Sequence, residues 1–186
     1  GMIAPDETTF EYVKGRKFAP KGAKFDEAVA YWKTLYSDED AVFDTEYHYN
    51  AADIAPMVTY GTNPGMGIGI DQAIPNSSHE SAQTFQKSLD YMGLNGGESL
   101  LGKPSNHGFI GSCTNPRNED LRMVADFKKG KQKTPNVNVM VVPGSKQVEA
   151  QAKKEGLDQI FAAAGFEFRE PGFSACLGMN EDKVPK

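Results

Sequence analysis

The chain has 186 residues, of which 39% are hydrophobic and 24% are charged, so it is long enough for at least one domain with an apolar core. Its formal net charge is -5 and it has no long run of Lys or Arg, which argues against nucleic-acid and anionic-membrane binding. No apolar run approaches the roughly 20 residues that span a bilayer, and the first residues lack the features of a signal peptide, so we expect a cytoplasmic protein.

The first third of the chain shows an irregular pattern. Aromatic and aliphatic residues at helical spacing predict a helix over residues 24–36. Alternation predicts a strand from Val42 to Tyr49, and a second strand is expected over residues 54–60. The glycine-rich stretch that follows, residues 61–69, lacks the order of a dinucleotide-binding fingerprint and is interpreted as a loop that needs positive φ angles.

From residue 78 onwards, predicted helices alternate with short, nearly continuous apolar strands. Strands are expected at residues 108–111, 137–142 and 166–168, and helices at 78–92, 116–128, 146–155 and 157–164. This alternation is typical of a parallel α/β sheet that is covered on both faces. We therefore predict an irregular N-terminal segment, residues 1–77, followed by an α/β domain, residues 78–186.

The chain contains two cysteines, Cys113 and Cys176, which are too few for a disulfide framework. Cys113 falls between the end of a predicted strand and a helix for which Asn115 can provide the cap and Pro116 the first residue. Open α/β sheets place ligand sites at such junctions, and a helix N-terminus favours the thiolate. Position alone also allows a small apolar residue that packs in a tight loop.

Two further strand-to-helix or strand-to-loop junctions resemble the first. One contains the sequence P-G-S at residues 143–145, where backbone N–H groups could bind an anion, although many such loops look alike. The other contains Cys176, so two of three junctions expected at one edge of the sheet carry a thiol. The histidines, His48, His79 and His107, are scattered and are interpreted as surface or packing residues.

Several long motifs resemble a known family. The sequences G-S-C-T-N-P-R-N-E-D-L-R, V-V-P-G-S-K-Q-V-E-A-Q-A-K-K-E-G-L-D-Q-I-F and P-G-F-S-A-C-L-G-M-N are similar to the large subunits of 3-isopropylmalate dehydratases, which belong to the aconitase superfamily. The resemblance covers essentially the whole chain and implies an aconitase-like three-layer α/β sandwich with a mostly parallel sheet. It also implies a hydro-lyase of leucine biosynthesis that acts on isopropylmalate and pairs with a small subunit.

The same resemblance implies an iron-sulfur site. In the family, three cysteines hold a four-iron, four-sulfur cluster whose open iron acts as a Lewis acid. Cys113 matches the first of these ligands and Cys176 the third, whereas Phe173 occupies the position of the second. We therefore predict that this chain does not hold the cluster.

The large subunits of the family are longer than this chain. The resemblance therefore implies that the family's upstream His and Asp residues and its downstream arginine segment have no counterpart in these 186 residues. We accordingly expect a fragment that is inactive alone and that contains no catalytic residue of its own. The alternative expectation is a non-catalytic α/β binding or interaction module that has lost its cluster.

Overall fold

The computed structural model describes residues 3–77, 81–111, 114–172 and 174–176. The chain divides into two compact units, Gly1–Ile54 and Ala55–Lys186. The division predicted from the sequence, at residue 77, stays a prediction. Within the described ranges, no helix combines the length and the apolar character that a bilayer crossing requires.

The first unit contains two short helices, α1 (Glu7–Val13) and α2 (Ala23–Trp32), and a 3-10 turn at Ala51–Asp53. Asp6 caps α1, because its carboxylate accepts a hydrogen bond of 2.9 Å from the backbone N–H of Thr9. The rings of Phe10 and Phe25 lie 6.0 and 5.9 Å from the ring of Trp32. An aromatic cluster therefore joins the two helices.

The strand predicted from Val42 to Tyr49 was wrong. These residues have no regular secondary structure, and none of them pairs with another strand among the described residues. Val42 is 95% exposed and Tyr49 is 78% exposed. Alternating apolar residues stabilise a strand only when one face is buried and the backbone finds a partner, and this segment has neither.

The second unit begins with a small antiparallel pair, β1 (Met57–Thr59) and β2 (Gly67–Gly69), separated by a 3-10 turn at Pro64–Met66. The helix α3 (Ala82–Met92) follows, and its side chains share a buried core with residues of the β1–β2 region. That core consists of Tyr60, Met66, Ile74, Phe85 and Leu89.

The expected positive φ angles at residues 61–69 were also wrong, since none of these glycines has one. Gly61 is required for a different reason. A Cβ atom on Gly61 would lie 2.0 Å from the sulfur of Met66, which is itself buried. This glycine therefore permits close packing, and the same stretch supplies the strand β2.

The α/β part matches the predicted order of elements. It comprises β3 (His107–Gly111), α4 (Asn118–Lys128), β4 (Asn138–Val142), α5 (Lys146–Lys154), α6 (Leu157–Ala163) and β5 (Glu167–Phe168). The three strands form a parallel sheet in the order β3-β4-β5, with Phe109 opposite Met140 and Val141 opposite Phe168. The predicted α/β class and parallel sheet are confirmed.

The core of this part lies between the sheet and the three helices. Leu121 of α4, Phe161 of α6 and Val141 of β4 are fully buried in one cluster. Met140 and Val142 point away from Val141 along the pleat and are buried as well. Both faces of β4 are therefore covered, which explains why the strand is apolar at every buried position instead of alternating.

Candidate functional site

The candidate site is the edge of the parallel sheet at which the strands end. Since β3, β4 and β5 run in the same direction, the loops that follow Gly111, Val142 and Phe168 emerge at one edge. In open α/β sheets, ligands bind outside this carboxyl edge. The described residues of these loops are 114–117, 143–145, 169–172 and 174–176.

Backbone hydrogen bonds tie these loops together. The N–H of Gly144 donates to the carbonyl of Pro116 at 3.1 Å, and the N–H of Arg169 donates to the carbonyl of Val141 at 2.8 Å. The first of these bonds joins the loop after β3 to the loop after β4. The second extends the pairing of β5 with β4 by one residue beyond the strand.

The start of α4 differs from the prediction. Asn115 was expected to cap this helix with Pro116 as its first residue, whereas the helix begins at Asn118 with Arg117 as its N-cap. The carboxylate of Asp120 accepts a hydrogen bond of 2.9 Å from the backbone N–H of Arg117. The carbonyl of Pro116 accepts the hydrogen bond from Gly144. Pro116 therefore takes part in the contact between the two loops and not in the helix.

Gly111 sits where β3 meets the first loop and has a φ angle of 143°. A Cβ atom at this position would lie 2.3 Å from the carbonyl oxygen of Val142. Only glycine accommodates both the backbone angle and the close approach of β4. The residue therefore fixes where the chain leaves the sheet, directly before Ser112 and Cys113 in sequence.

A cluster of charged side chains joins α5 to the third loop. Glu149 of α5 is buried, and its carboxylate accepts hydrogen bonds from Lys146 Nζ at 3.1 Å and from Lys153 Nζ at 2.6 Å. Lys146 also pairs with Glu170 in the third loop. Ser145, between β4 and α5, caps the helix by accepting a hydrogen bond of 3.2 Å from the N–H of Val148.

The electrostatics of this cluster favour its charged forms. The hydrogen bond from Lys153 holds the pKa of Glu149 below its ordinary value, and the one from Lys146 acts in the same direction, whereas burial opposes both. The hydrogen bond with Glu170 is the main cause that raises the pKa of Lys146. The buried carboxylate of Glu149 is stable in its charged form because the ammonium groups of Lys146 and Lys153 donate hydrogen bonds to it.

Of the residues predicted for the site, the structure describes Cys176. Its thiol is exposed, and it follows Ser174, which is fully buried, in the third loop. Cys113 and Phe173 lie outside the described residues, so the expectation that both cysteines lie at the same edge of the sheet stays a prediction. His48 is exposed beside Glu46, His107 is half-buried at the opposite end of β3, and His79 lies outside the described residues.

Comparison with known proteins identifies the family. The family model for aconitase (aconitate hydratase) matches residues 1–186. The chain belongs to the aconitase family. Its membership agrees with the resemblance of the cysteine-containing motifs and with the parallel α/β sheet.

Individual members of the aconitase family are similar over the whole chain. Proteins named 3-isopropylmalate dehydratase large subunit are 68% identical in Cytophaga hutchinsonii, 58% in Bacteroides thetaiotaomicron and 56% in Roseiflexus castenholzii. Each alignment covers 100% of this chain but only 41%, 40% and 40% of the respective relative. The chain therefore spans about two fifths of the length of these relatives.

The aconitase family implies an iron-sulfur cluster, and the side chains of this chain decide whether such a group fits. Across the described ranges, no group of three or more His, Cys, Asp or Glu residues is placed to hold a metal ion. The chain has two cysteines, and the second of the three ligand positions implied by the resemblance holds Phe173. A phenyl ring offers no ligand atom, so these residues do not fit a four-iron cluster held by three thiolates.

The sequence interpretation missed the charged cluster around Glu149. The spacing of Lys146, Glu149 and Lys153 places all three on one face of α5, a pattern that could have indicated ion pairs. Nothing in the sequence linked Lys146 to Glu170, because that contact joins the first residue of α5 to a loop 24 residues further along the chain. In this member of the aconitase family, the pairing ties the start of α5 to the loop that carries Cys176.

Proposed function

We propose that this chain forms part of the large subunit of a 3-isopropylmalate dehydratase, a hydro-lyase that interconverts 2- and 3-isopropylmalate in leucine biosynthesis. One observation carries the proposal: identities of 56–68% run over the entire chain with three proteins of that name. The family match over residues 1–186 supports the same reaction class. The proposal includes a cytoplasmic location, isopropylmalate as substrate and a small subunit as partner.

Within that function, we assign the carboxyl edge of the sheet to the active-site region. Cys113 and Cys176 would occupy two of the three ligand positions of the iron-sulfur cluster that the resemblance implies. Two contacts between described residues hold the loops of this edge in place: the Gly144–Pro116 hydrogen bond and the Lys146–Glu170 ion pair. Thiolates are suitable ligands for such a cluster, and their spacing depends on these loops.

A polypeptide of these 186 residues alone should not catalyse the reaction. Acid-base and substrate-binding groups must be placed together for efficient catalysis, and this chain spans about two fifths of its relatives. The measurement is formation of the unsaturated dehydration product from isopropylmalate by the purified chain. Activity that co-purifies with the chain and not with host enzyme would contradict this expectation.

A chimera tests the proposed function directly. The matching segment of the Cytophaga hutchinsonii large subunit is replaced by this chain carrying Phe173→Cys, and the chimera is produced with its small subunit in a leucine-requiring strain that lacks the dehydratase. We expect growth without leucine. A chimera that is soluble and assembles with the small subunit, yet supports neither growth nor dehydration, would contradict the proposal.

The same chimera with Phe173 retained is the matched control, and we expect it to fail. Growth of this control would leave the dehydratase assignment intact and would show that position 173 does not supply a required ligand. The two outcomes therefore separate the function of the segment from the role of one residue.

Phe173 also favours a second candidate function, a non-catalytic α/β binding or interaction module that keeps the family fold without its cluster. The observation is the aromatic residue at a position where the resemblance requires a thiolate. This candidate predicts that the Phe173→Cys chimera assembles but gains neither iron nor activity.

A further inference from the structure

A groove lies away from the carboxyl edge of the sheet, at the other end of α4. The helix α4 starts at the carboxyl edge and returns the chain to the opposite edge, where β4 begins. A groove of about 400 Å³ opens at the end of α4, between that end and the helix α6. Its volume lies within the range of small-molecule sites.

The rim of this groove is basic. Lys128, Lys129 and Lys131 line it, and among the described residues no aspartate or glutamate does. None of the three forms an ion pair with another described residue. In a chain of net charge -5, residues 128–133 include four lysines, which concentrates positive charge at one place.

The dipole of α4 does not explain the position of every lysine at the rim. Cations near a helix C-terminus interact favourably with the helix dipole, and Lys128 lies in the last turn of α4. Lys131 lies beyond that helix, and its Nζ is 4.3 Å from the centre of the exposed Phe127 ring. Lys128 Nζ lies 5.3 Å from the centre of the Phe166 ring. These contacts hold two ammonium groups beside the groove without neutralising them.

The floor of the groove is apolar. Ile160, Ala163 and Ala164 of the α6 region line it, and Ala164 is buried. A small inorganic anion would contact the lysines but would leave this floor uncovered. A ligand that satisfies both parts carries negative charge at one end and an apolar body at the other.

We propose that this groove binds a small organic phosphate, a phosphomonoester with an aromatic or aliphatic body. Lysine binds phosphate as a point charge, and a dianion with three outer oxygens can accept hydrogen bonds from more than one of the three lysines. The apolar body would lie against Ile160, Ala163 and Ala164. The proposal does not depend on the dehydratase function, because the groove and the carboxyl edge are at opposite ends of α4.

Phenyl phosphate is the probe for this proposal. The chain is labelled at isoleucine and alanine methyl groups, and NMR shifts are followed as the ligand is added. We expect saturable shifts at Ile160, Ala163 and Ala164, and weaker binding of phenol, which lacks the charge, and of inorganic phosphate, which lacks the apolar body. Equal affinity for phenol and phenyl phosphate, or no shift at these methyl groups, would overturn the proposal.

Charge removal provides the matched variants. Lys128→Gln, Lys129→Gln and Lys131→Gln together should weaken binding of phenyl phosphate about tenfold, since exposed charge pairs contribute modestly each. The control carries Lys17→Gln, Lys24→Gln and Lys87→Gln, three exposed lysines elsewhere, and should bind like the parent. Undiminished binding by the first variant would refute a role for the lysine rim.

Salt dependence of the unmodified chain gives a test that does not require any variant to fold. Exposed lysines are screened strongly when ionic strength rises, so affinity for phenyl phosphate should fall severalfold between about 0.02 and 0.2 M salt. Affinity for phenol should stay constant. An affinity for phenyl phosphate that does not change with salt would also overturn the proposal.

Discussion

Gly111 shows how one residue controls the position of the candidate site. Its φ angle of 143° and the 2.3 Å distance from a hypothetical Cβ to the Val142 carbonyl both require glycine. The sequence predicted that the strand ends here but gave no reason why glycine stands at the end. That reason depends on β4, whose pairing with β3 brings the carbonyl close.

Gly111→Ala should destabilise the chain by roughly 2 kcal/mol or more, because backbone strain and a clash with a carbonyl add together. Gly102→Ala is the matched control. Gly102 also has a positive φ, of 83°, but a Cβ there would meet nothing within 4 Å, so strain alone should make it milder. The measurement is the free energy of unfolding in urea, and equal losses in the two variants would contradict the clash.

At the scale of the helices, a bidentate ion pair joins α4 to Glu155, the residue that caps the end of α5. Arg122 donates to the two carboxylate oxygens of Glu155 through Nε and Nη2, each at 2.7 Å. The hydrogen bond from Arg122 and a second one from Gln151 lower the pKa of Glu155 to about 2 from its ordinary 4.5. Fork geometry of this kind requires arginine, so lysine would not replace it.

The pH dependence of this pair follows from the lowered pKa. A carboxyl whose pKa is lower in the folded state stabilises the fold above its unfolded pKa, and this contribution disappears as the pH falls through the folded pKa. Glu155→Gln should therefore lower the thermal midpoint near pH 7, and the difference from the parent should shrink between about pH 4.5 and pH 2. Thermal unfolding followed by circular dichroism across this range measures the effect.

The exposed carboxylate of Asp126, also on α4, provides the control for that experiment. Asp126→Asn removes one negative charge of the same helix without removing this ion pair. It should leave the thermal midpoint nearly unchanged at every pH. A difference for Glu155→Gln that stays constant down to pH 2 would show that the ion pair is not its cause.

Helices and strands could be predicted from the sequence where the hydrophobic pattern matches a face that is buried in the structure. The strands β3 and β4 and the helices α4 to α6 were expected within a few residues, because buried parallel strands and amphipathic helices leave clear patterns. The segment from Val42 to Tyr49 shows the limit, since its alternation has no buried face to support it. The placement of a site at the edge of the sheet stays a prediction, and the Lys146–Glu170 contact could not be predicted because it depends on tertiary structure.

At the scale of the whole molecule, family membership and the cluster ligands disagree. The chain matches the aconitase family over residues 1–186, and the resemblance assigns its two cysteines to the first and third ligand positions. Phe173 stands at the second of the three positions. Because the described part of the α/β domain keeps the expected elements, the disagreement concerns one residue of the sequence, Phe173, and it can be tested by changing that residue.

Phe173→Cys should allow the chain to take up iron and sulfide during anaerobic reconstitution, with a broad visible absorption that the parent lacks. Three thiolates can hold a four-iron cluster, whereas the two in the parent do not provide the ligand set that the family uses. Phe173→Ser is the matched control, since it removes the aromatic ring without adding a thiol, and it should stay iron-free like the parent. Iron and sulfide are measured per chain after removal of unbound metal. Equal iron content in the parent and in Phe173→Cys would show that position 173 does not decide cluster binding, and a full cluster in the parent would mean that another residue supplies the third ligand.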